Sequence, residues 1–379
     1  MRSFARNVFL PVVVFSLVWA TSCGSNMQLS DAGLTPTPTK TAVVFVGPNS
    51  EYLATLSLSS PTLTPVNHAL IQGNIYGVDA VNRHLLSLAY SFGTPHNYIA
   101  CAAQNVEAFD IDPSMGSQTQ ITAPAVTSQS FFWDVKGKFL FDVHCLPTIL
   151  SSPFATVYGT LSGIDVWTVA GDQFTPVAGS AFGDASAVLA EGPLGKFLYA
   201  MGPSAIEVLS VGSNGVLSQT STVPLPTPFY YLGSMVLSPS GQYAYLSYWP
   251  DSQTANPQIN IYSVSQQDGS LTLQNTVTAP AYSASLVMHP LGHFLYAFGT
   301  DISVFPIDSS GNLQNPITVP NTSPGGLAFD KAGDFAFIEQ VGVATYIGMF
   351  SVDPATGNLT GIANTGPLND FAYDIEVVE

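Results

Sequence analysis

Basic residues are scarce in this chain. Lysine and arginine together number 8 against 25 aspartate and glutamate residues, which gives 379 residues a formal net charge of −17 at pH 7. A field of that sign repels the phosphates of nucleic acids and the head groups of anionic lipids. The composition therefore argues against nucleic acid as a partner, and it disfavours direct binding of the protein surface to an anionic membrane.

Several signatures of enzyme sites are also missing. The chain has no Gly-x-Ser-x-Gly and no Cys-x-x-Cys, so serine-hydrolase and cysteine-ligated zinc sites lack support. No stretch after the N-terminal segment has sustained helical periodicity, and a phosphate-binding glycine loop needs a helix to follow it. We therefore expect no cofactor and no metal.

What the chain does contain is a recurring aromatic phrase. The phrase starts with glycine and ends in an aromatic residue, and its five copies begin at Gly137, Gly195, Gly241, Gly292 and Gly333. Self-similarity at spacings of about 40–60 residues is typical of a repeat architecture.

Each repeat is predicted to contain four short strands. An apolar run leads through a turn into the aromatic phrase, a strictly alternating strand follows, and a Gly-x-Leu turn leads into the last strand. Six complete units start near Ile75, Ser130, Ala185, Gly233, Ser283 and Gly325. The two ends supply a further unit, with a strand near residues 371–374 joining N-terminal strands between residues 41 and 66. The sequence thus predicts an all-β fold, a seven-bladed β-propeller of four-stranded antiparallel blades, closed by the C-terminal strand.

The N-terminal segment is predicted to lie outside the fold. Arg2 and Arg6 precede an apolar run of 13 residues, which is too short for a transmembrane helix and typical of a signal peptide over residues 1–22. Small residues directly before Cys23 predict that this cysteine is lipidated; ordinary cleavage and secretion is the alternative. Residues 23–40 are rich in proline and threonine and are predicted to form a tether. Residues 41–379 form the propeller, which we expect to be monomeric and extracytoplasmic, with the lipid as its only contact with a membrane.

Two further cysteines remain, Cys101 and Cys145. An extracytoplasmic compartment permits a disulfide between them, and both fall in the same region of neighbouring repeats. The alternative is two unpaired thiols.

Several polar residues occupy equivalent positions in successive repeats. Arg83, Lys138, Lys196 and His293 share a position beside the first turn, and the residues before that turn are Asp79, Asp134, Glu191, Ser238, His289 and Asp330. A position repeated around a ring indicates a structural role. We interpret the first set as charges that solvate the turns and the second as side chains that bond the turn backbone.

A ligand site is expected on the face formed by the loops between second and third strands and by the connections from fourth strands to the next blade. Residues of this face that suit a carbohydrate, an apolar or a cationic ligand are His96, Tyr98, Tyr158, Tyr230, Tyr231, Tyr248, Trp249, Asp251 and Tyr346. The alternative is that the aromatic side chains only pack the loops. His144 with Glu191 or Glu339 is the candidate acid–base set.

The repeats resemble the lactonase family of seven-bladed β-propellers, which includes 6-phosphogluconolactonase-like proteins. The resemblance rests on residues 238–245 (SPSGQYAY), 259–264 (INIYSV), 268–271 (DGSL) and 353–359 (DPATGNL), and it covers about residues 75–379. It implies metal-independent lactone hydrolysis, with basic side chains in the central channel that hold a carboxylate or phosphate. This chain departs from that pattern, because the only arginine after the signal segment is Arg83, in a turn.

Two functions therefore stand side by side. The first is a binding module that presents its loop face to a small molecule, a glycan or an envelope protein. The second is a lactonase-type hydrolase acting on an uncharged or cationic lactone. Since the sequence shows no cluster of ionisable residues at a channel mouth, it favours the binding module.

Overall fold

The computed structural model describes residues 42–46, 53–58, 63–69, 75–79, 81–89, 105–112, 118–125, 128–145, 161–179, 182–183, 187–201, 205–225, 231–250, 256–280, 285–320, 324–340, 346–365 and 374–378. All of the regular structure in these ranges is β-strand, in four-stranded antiparallel sheets. The prediction of an all-β propeller with four-stranded blades is confirmed at that level.

Six sheets consist of four strands that follow one another along the chain. They are β4 to β7 (Ile75–Asp79, His84–Ala89, Asn105–Ile111, Gln118–Ile121), β8 to β11 (Ser128–Trp133, Phe139–Cys145, Leu161–Ala170, Gln173–Pro176), β12 to β15 (Ala187–Glu191, Phe197–Met201, Ala205–Val211, Leu217–Pro224), β16 to β19 (Tyr231–Leu237, Tyr243–Trp249, Gln258–Val264, Leu271–Thr278), β20 to β23 (Ser285–Met288, Phe294–Phe298, Ile302–Pro306, Ile317–Val319) and β24 to β27 (Pro324–Phe329, Phe335–Gln340, Tyr346–Val352, Leu359–Asn364).

One more sheet joins the two ends of the chain. It contains β1 (Ala42–Val46), β2 (Leu53–Leu58), β3 (Leu63–Ala69) and β28 (Asp374–Val378) in the order β28-β1-β2-β3. β28 pairs antiparallel with β1 over five residue pairs, from Ala42 with Val378 to Val46 with Asp374. The paired strand begins at Asp374, where the predicted segment of residues 371–374 ends.

The predicted number of blades needs correction. In each of the six sheets built from consecutive strands, described side chains pack against a neighbouring sheet. In the composite sheet, Ile375 and Val377 of β28 pack against the blade of β24 to β27, but the side chains of β1 to β3 are not among the described ones, so packing of the whole sheet as a further blade is not shown. The structure thus shows six packed blades rather than seven, together with a composite sheet that joins the two ends of the chain.

The first strand of each sheet lies on the inside of the ring. β4 contacts β8, β12 contacts β16, β16 contacts β20 and β24 contacts β28, so first strands meet across neighbouring sheets. The fourth strands lie on the outside, as the exposed middle of β19 shows. Core residues sit between the sheets; one cluster joins Tyr199 and Val208 to Leu246 and Tyr262 of the next blade.

The two repeated sequence phrases meet at the interface between blades. The hydroxyl of Tyr245, in the aromatic phrase, donates to the carbonyl of Gly311 in the next blade's Gly-x-Leu turn at 2.9 Å. Tyr199 and Tyr296 make the same bond to Gly269 and Gly357. The spacing of the repeat therefore reflects an inter-blade contact, in which each aromatic strand bonds the next blade's turn.

Glycine is required where that turn packs on the neighbouring ring. Gly311 has φ +77°, and a Cβ atom built on it would lie 2.4 Å from the ring of Tyr243. Both the backbone conformation and the space thus exclude a side chain.

Candidate functional site

Most of the predicted ligand-binding face lies outside the described residues. This applies to His96, Tyr98, Tyr158, Tyr230 and Asp251, and equally to Cys23 and Cys101. Tyr231 begins β16 and Cys145 ends β9, and the structure describes their backbones. The lipid anchor and the disulfide therefore stay predictions.

Tyr248 is the described member of that face with a defined environment. Its ring is buried, its hydroxyl donates to Gln258 Oε1 at 2.6 Å, and burial raises the pKa of the hydroxyl above its usual value. It lines a groove of about 490 Å³ at the outer wall, between β15 and β19. Trp249 and Tyr346 are half-buried at the ends of their strands. The binding role of Tyr248, Trp249 and Tyr346 stays a prediction.

The acid–base candidates lie at two different ends of their sheets. His144 is the penultimate residue of β9 and Glu339 the penultimate residue of β25, both second strands. Glu191 is the last residue of β12, a first strand, next to the turn that leads into the second. Since paired first and second strands are antiparallel, the structure does not bring Glu191 to the end that His144 and Glu339 occupy.

Glu191 instead links two neighbouring turns. Its Oε2 accepts a hydrogen bond of 2.7 Å from the backbone N–H of Val135, in the preceding blade. Burial, with a smaller contribution from the charge of Asp134, raises the pKa of the Glu191 carboxyl to about 9. The group is therefore a neutral acid at pH 7. The other residues at this repeat position bond the turn backbone as expected; Asp330, for example, accepts from Phe335 N–H at 2.8 Å.

A cavity of about 460 Å³ opens between the inner strands β20, β24 and β28. The residues that line it are Ser285, Val287, Met288, Pro290, Phe298, Gly325, Gly326, Leu327, Ala328, Phe329, Ile375 and Val377. None of these lining side chains carries a charge. Because all three strands are first or last in their sheets, each is paired on one side only within the described sheets, and its outer edge exposes backbone N–H and C=O groups.

The wall formed by β24 is irregular at its two glycines. The register with β25 slips between Pro324 and Leu327, so Gly325 and Gly326 form a bulge opposite Glu339, which is fully buried. The equivalent bulge in β16 is bridged by Ser247, whose Oγ accepts from the N–H of Ser234 at 3.0 Å. Glu339 thus lies in β25 opposite the two glycines that line the cavity.

Within the described part of the chain, no group of three His, Cys, Asp or Glu side chains is arranged so that it could hold a metal ion. His289 and His293 have the His-x-x-x-His spacing of zinc sites on helices, but they flank a turn. His289 is buried, with Nε2 2.9 Å from the carbonyl oxygen of Gly333, and burial lowers its pKa. Nor do the described ranges contain a helix long and apolar enough to span a membrane.

Sequence reasoning missed the inner cavity. Its walls come from strands that lie about 40–50 residues apart in the chain, and most of their side chains are ordinary apolar residues. The one local signal is the pair Gly325-Gly326 within a strand, since glycine in a strand interior marks a bulge or a close approach.

Comparison with solved structures gives similarity in fold. A candidate 6-phosphogluconolactonase from Bacteroides fragilis is 15% identical, with a TM-score of 0.66 over 90% of this chain and 99% of that one. A periplasmic gluconolactonase from Pseudomonas aeruginosa is 19% identical, with a TM-score of 0.63 over the same shares. A candidate 6-phosphogluconolactonase from Bacteroides uniformis has a TM-score of 0.68 at 14% identity, over 89% and 99%.

No family profile and no curated protein sequence matches the chain. The chain is therefore similar in structure to lactonase-like β-propellers, and at these identities the similarity extends to the fold alone.

Proposed function

We propose that this protein binds a neutral, hydroxyl-rich lactone of the gluconolactone kind in the cavity between β20, β24 and β28. The observation that carries the proposal is the composition of the cavity wall, which combines uncharged side chains with exposed strand edges. A ligand hydroxyl group can donate a hydrogen bond to a backbone C=O group and accept one from a backbone N–H group. The apolar side chains can pack against the ring carbons of the ligand. The fold shared with a gluconolactonase agrees with this ligand class.

A phosphorylated lactone fits the cavity less well. A phosphate group needs cationic or bidentate donors to replace its hydration, and the lining supplies none. All described lysine and arginine side chains lie in the turns between first and second strands, at one end of the sheets. The proposed ligand is therefore unphosphorylated.

Hydrolysis of the bound lactone is a second candidate function, which rests on Glu339. A lactonase needs a base that removes a proton from the attacking water, and the buried carboxyl of Glu339 lies in β25 opposite the two glycines of β24 that line the cavity. His144, also at the end of a second strand, is the other residue of the expected acid–base set.

Calorimetric titration with gluconolactam, which resists hydrolysis, tests the binding. We expect saturable binding by the wild type and loss of it in Ser285→Tyr, because a tyrosine at this half-buried lining position would fill the cavity. The matched control is Ser218→Tyr, on the exposed face of the outermost strand β15. Equal binding by all three proteins would contradict the assigned cavity, and tighter binding of 6-phosphogluconate would contradict the neutral ligand.

Hydrolysis is measured separately, by pH-stat with glucono-1,5-lactone above its spontaneous rate. Turnover that is lost in Glu339→Gln and in His144→Ala, with gluconolactam binding retained, would establish the enzyme. Binding without turnover in the wild type would leave a binding module. We place that module outside the cytoplasm, on the prediction of a lipid at Cys23, which metabolic labelling with a fatty-acid analogue would test.

A further inference from the structure

The turns between first and second strands follow one another in an arc, which we call the turn ring: residues 81–83, 135–138, 193–196, 239–242, 290–293 and 331–334. Each turn packs on the next. A Cβ atom built on Gly137 would lie 2.8 Å from Val81 Cβ, and one on Gly292 would lie 2.8 Å from Pro239 Cδ. Contacts of this kind connect all six described turns in sequence order.

This ring collects the positive charge of the molecule. Its cations are Arg83, Lys136, Lys138, Lys196 and Lys331, all exposed, and the described residues contain no lysine or arginine anywhere else. The exposed carboxylate within the ring is Asp334; Asp79, Asp134 and Asp330 are buried against the turn backbone, and Glu191 is protonated at neutral pH. Although the net charge of the chain is −17, exposed cations outnumber exposed anions among the described residues of this ring.

The same ring exposes aliphatic side chains. Six large apolar residues of the described chain are substantially exposed, and four of them lie in the turn ring: Val81, Val135, Leu194 and Leu291, at 43% to 59% exposure. Apolar residues scattered singly over a surface need no explanation, but four at equivalent turns of one ring form a pattern. Val81, Val135 and Leu194 share their turns with a lysine or an arginine, so this part of the turn ring is amphipathic.

A second set of turns limits what can bind there. The turns between third and fourth strands lie at the same end of each antiparallel sheet but farther out, and they carry the exposed Asp268, Asp308 and Asp353. Their hydrogen bonds to turn backbone and side chains lower the pKa values of these carboxyls, so they stay ionised. An extended anionic surface such as a bilayer would meet this outer acidic rim.

From this charge pattern we propose that the turn ring docks a narrow acidic segment of a partner protein, one that carries both carboxylates and aliphatic side chains. The carboxylates meet the lysines, the aliphatic groups cover Leu194 and Leu291, and the outer rim confines the segment to the ring. The interaction is independent of the ligand proposed for the cavity.

Fluorescence anisotropy with a labelled 18-residue amphipathic peptide of Glu and Leu tests the proposal, with the corresponding Lys and Leu peptide as the opposite probe. We expect the acidic peptide to bind at low salt. The double variant Lys136→Gln/Lys196→Gln should weaken binding by about tenfold, and Leu194→Ser/Leu291→Ser by several-fold. The control Ser218→Glu/Thr222→Glu reaches the same net charge on β15, away from the ring, and should change affinity by less than about twofold.

Equal weakening in the control would overturn the proposal, because it would assign the binding to net charge alone. Absence of acidic-peptide binding to the wild type would overturn it as well. A third result would also overturn it: the wild type binds phosphatidylglycerol vesicles but not the peptide, and the lysine double variant no longer binds the vesicles. The turn ring would then be a membrane-binding surface. Thermal unfolding of each variant would show that the surface substitutions leave the fold intact.

Discussion

Replacing Glu191 with glutamine should make the protein more stable at neutral pH. The carboxyl is buried between two blades, and its pKa is raised from 4.5 to about 9. When the pKa of a group is higher in the folded state than in the unfolded state, the group contributes its full stabilisation at pH values below the pKa of the unfolded state. That stabilisation is lost as the pH rises towards the pKa of the folded state. The wild type therefore loses stability from this residue between about pH 4.5 and pH 9.

The magnitude follows from the two pKa values. Each unit of difference corresponds to about 1.4 kcal/mol, so at pH 7, about 2.5 units above the unfolded value, Glu191 costs up to about 3 kcal/mol. Relaxation around the charged form reduces this ceiling, and we expect a gain of about 2 kcal/mol for Glu191→Gln at pH 7. The amide oxygen can still accept from Val135 N–H, so the link between the turns is kept.

Urea unfolding at a series of pH values from 5 to 9 measures this effect. The free-energy difference between Glu191→Gln and the wild type should grow steadily with pH. The matched control is Glu207→Gln, which changes a half-buried carboxylate that accepts from Gln219 Nε2. A pH-independent difference for Glu191→Gln, or a loss of stability at every pH, would refute the reasoning.

Three further predictions concern how the blades are joined. Tyr245→Phe removes the bond to Gly311 and should cost about 1 kcal/mol in urea unfolding, whereas Tyr243→Phe should cost less; equal costs would contradict the inter-blade bond. Gly311→Ala forces a side chain into a left-handed turn against the Tyr243 ring and should cost at least about 2 kcal/mol by the same assay, and a neutral effect would refute the packing. Deleting residues 374–378 removes β28 from β1 and should lower the midpoint of one cooperative thermal transition; an unchanged midpoint would show that the composite sheet contributes nothing.

Much of the fold could be predicted because the repeat encodes local rules. The first strands predicted near Ser130 and Ala185 begin at Ser128 and Ala187, within two residues. The residues that favour turns and strands lie close together in the sequence. Because they recur in every repeat, one atypical repeat does not change the prediction. Arg83 is such an exception: it holds φ 66° one residue after the position where the other repeats have a glycine of positive φ.

The site was harder to predict because it depends on contacts between repeats. The carboxyl of Glu191 accepts a hydrogen bond from the backbone N–H of Val135 in the preceding blade, and no sequence pattern predicts that bond. The cavity wall combines strand edges with apolar residues such as Val287 and Leu327, which are indistinguishable from core residues in the sequence. The charged residues at equivalent positions, in contrast, were predicted from the repeat to lie in turns around a ring, and the structure places Arg83, Lys138, Lys196 and His293 in those turns.

A crystal structure of the protein with gluconolactam would locate the proposed ligand site. We expect the lactam between β20, β24 and β28, with its hydroxyl groups bonded to the strand edges at Gly325 and Gly326 and with no lysine or arginine in contact. A ligand bound instead in the outer groove beside Tyr248, or held by cationic side chains, would contradict this expectation.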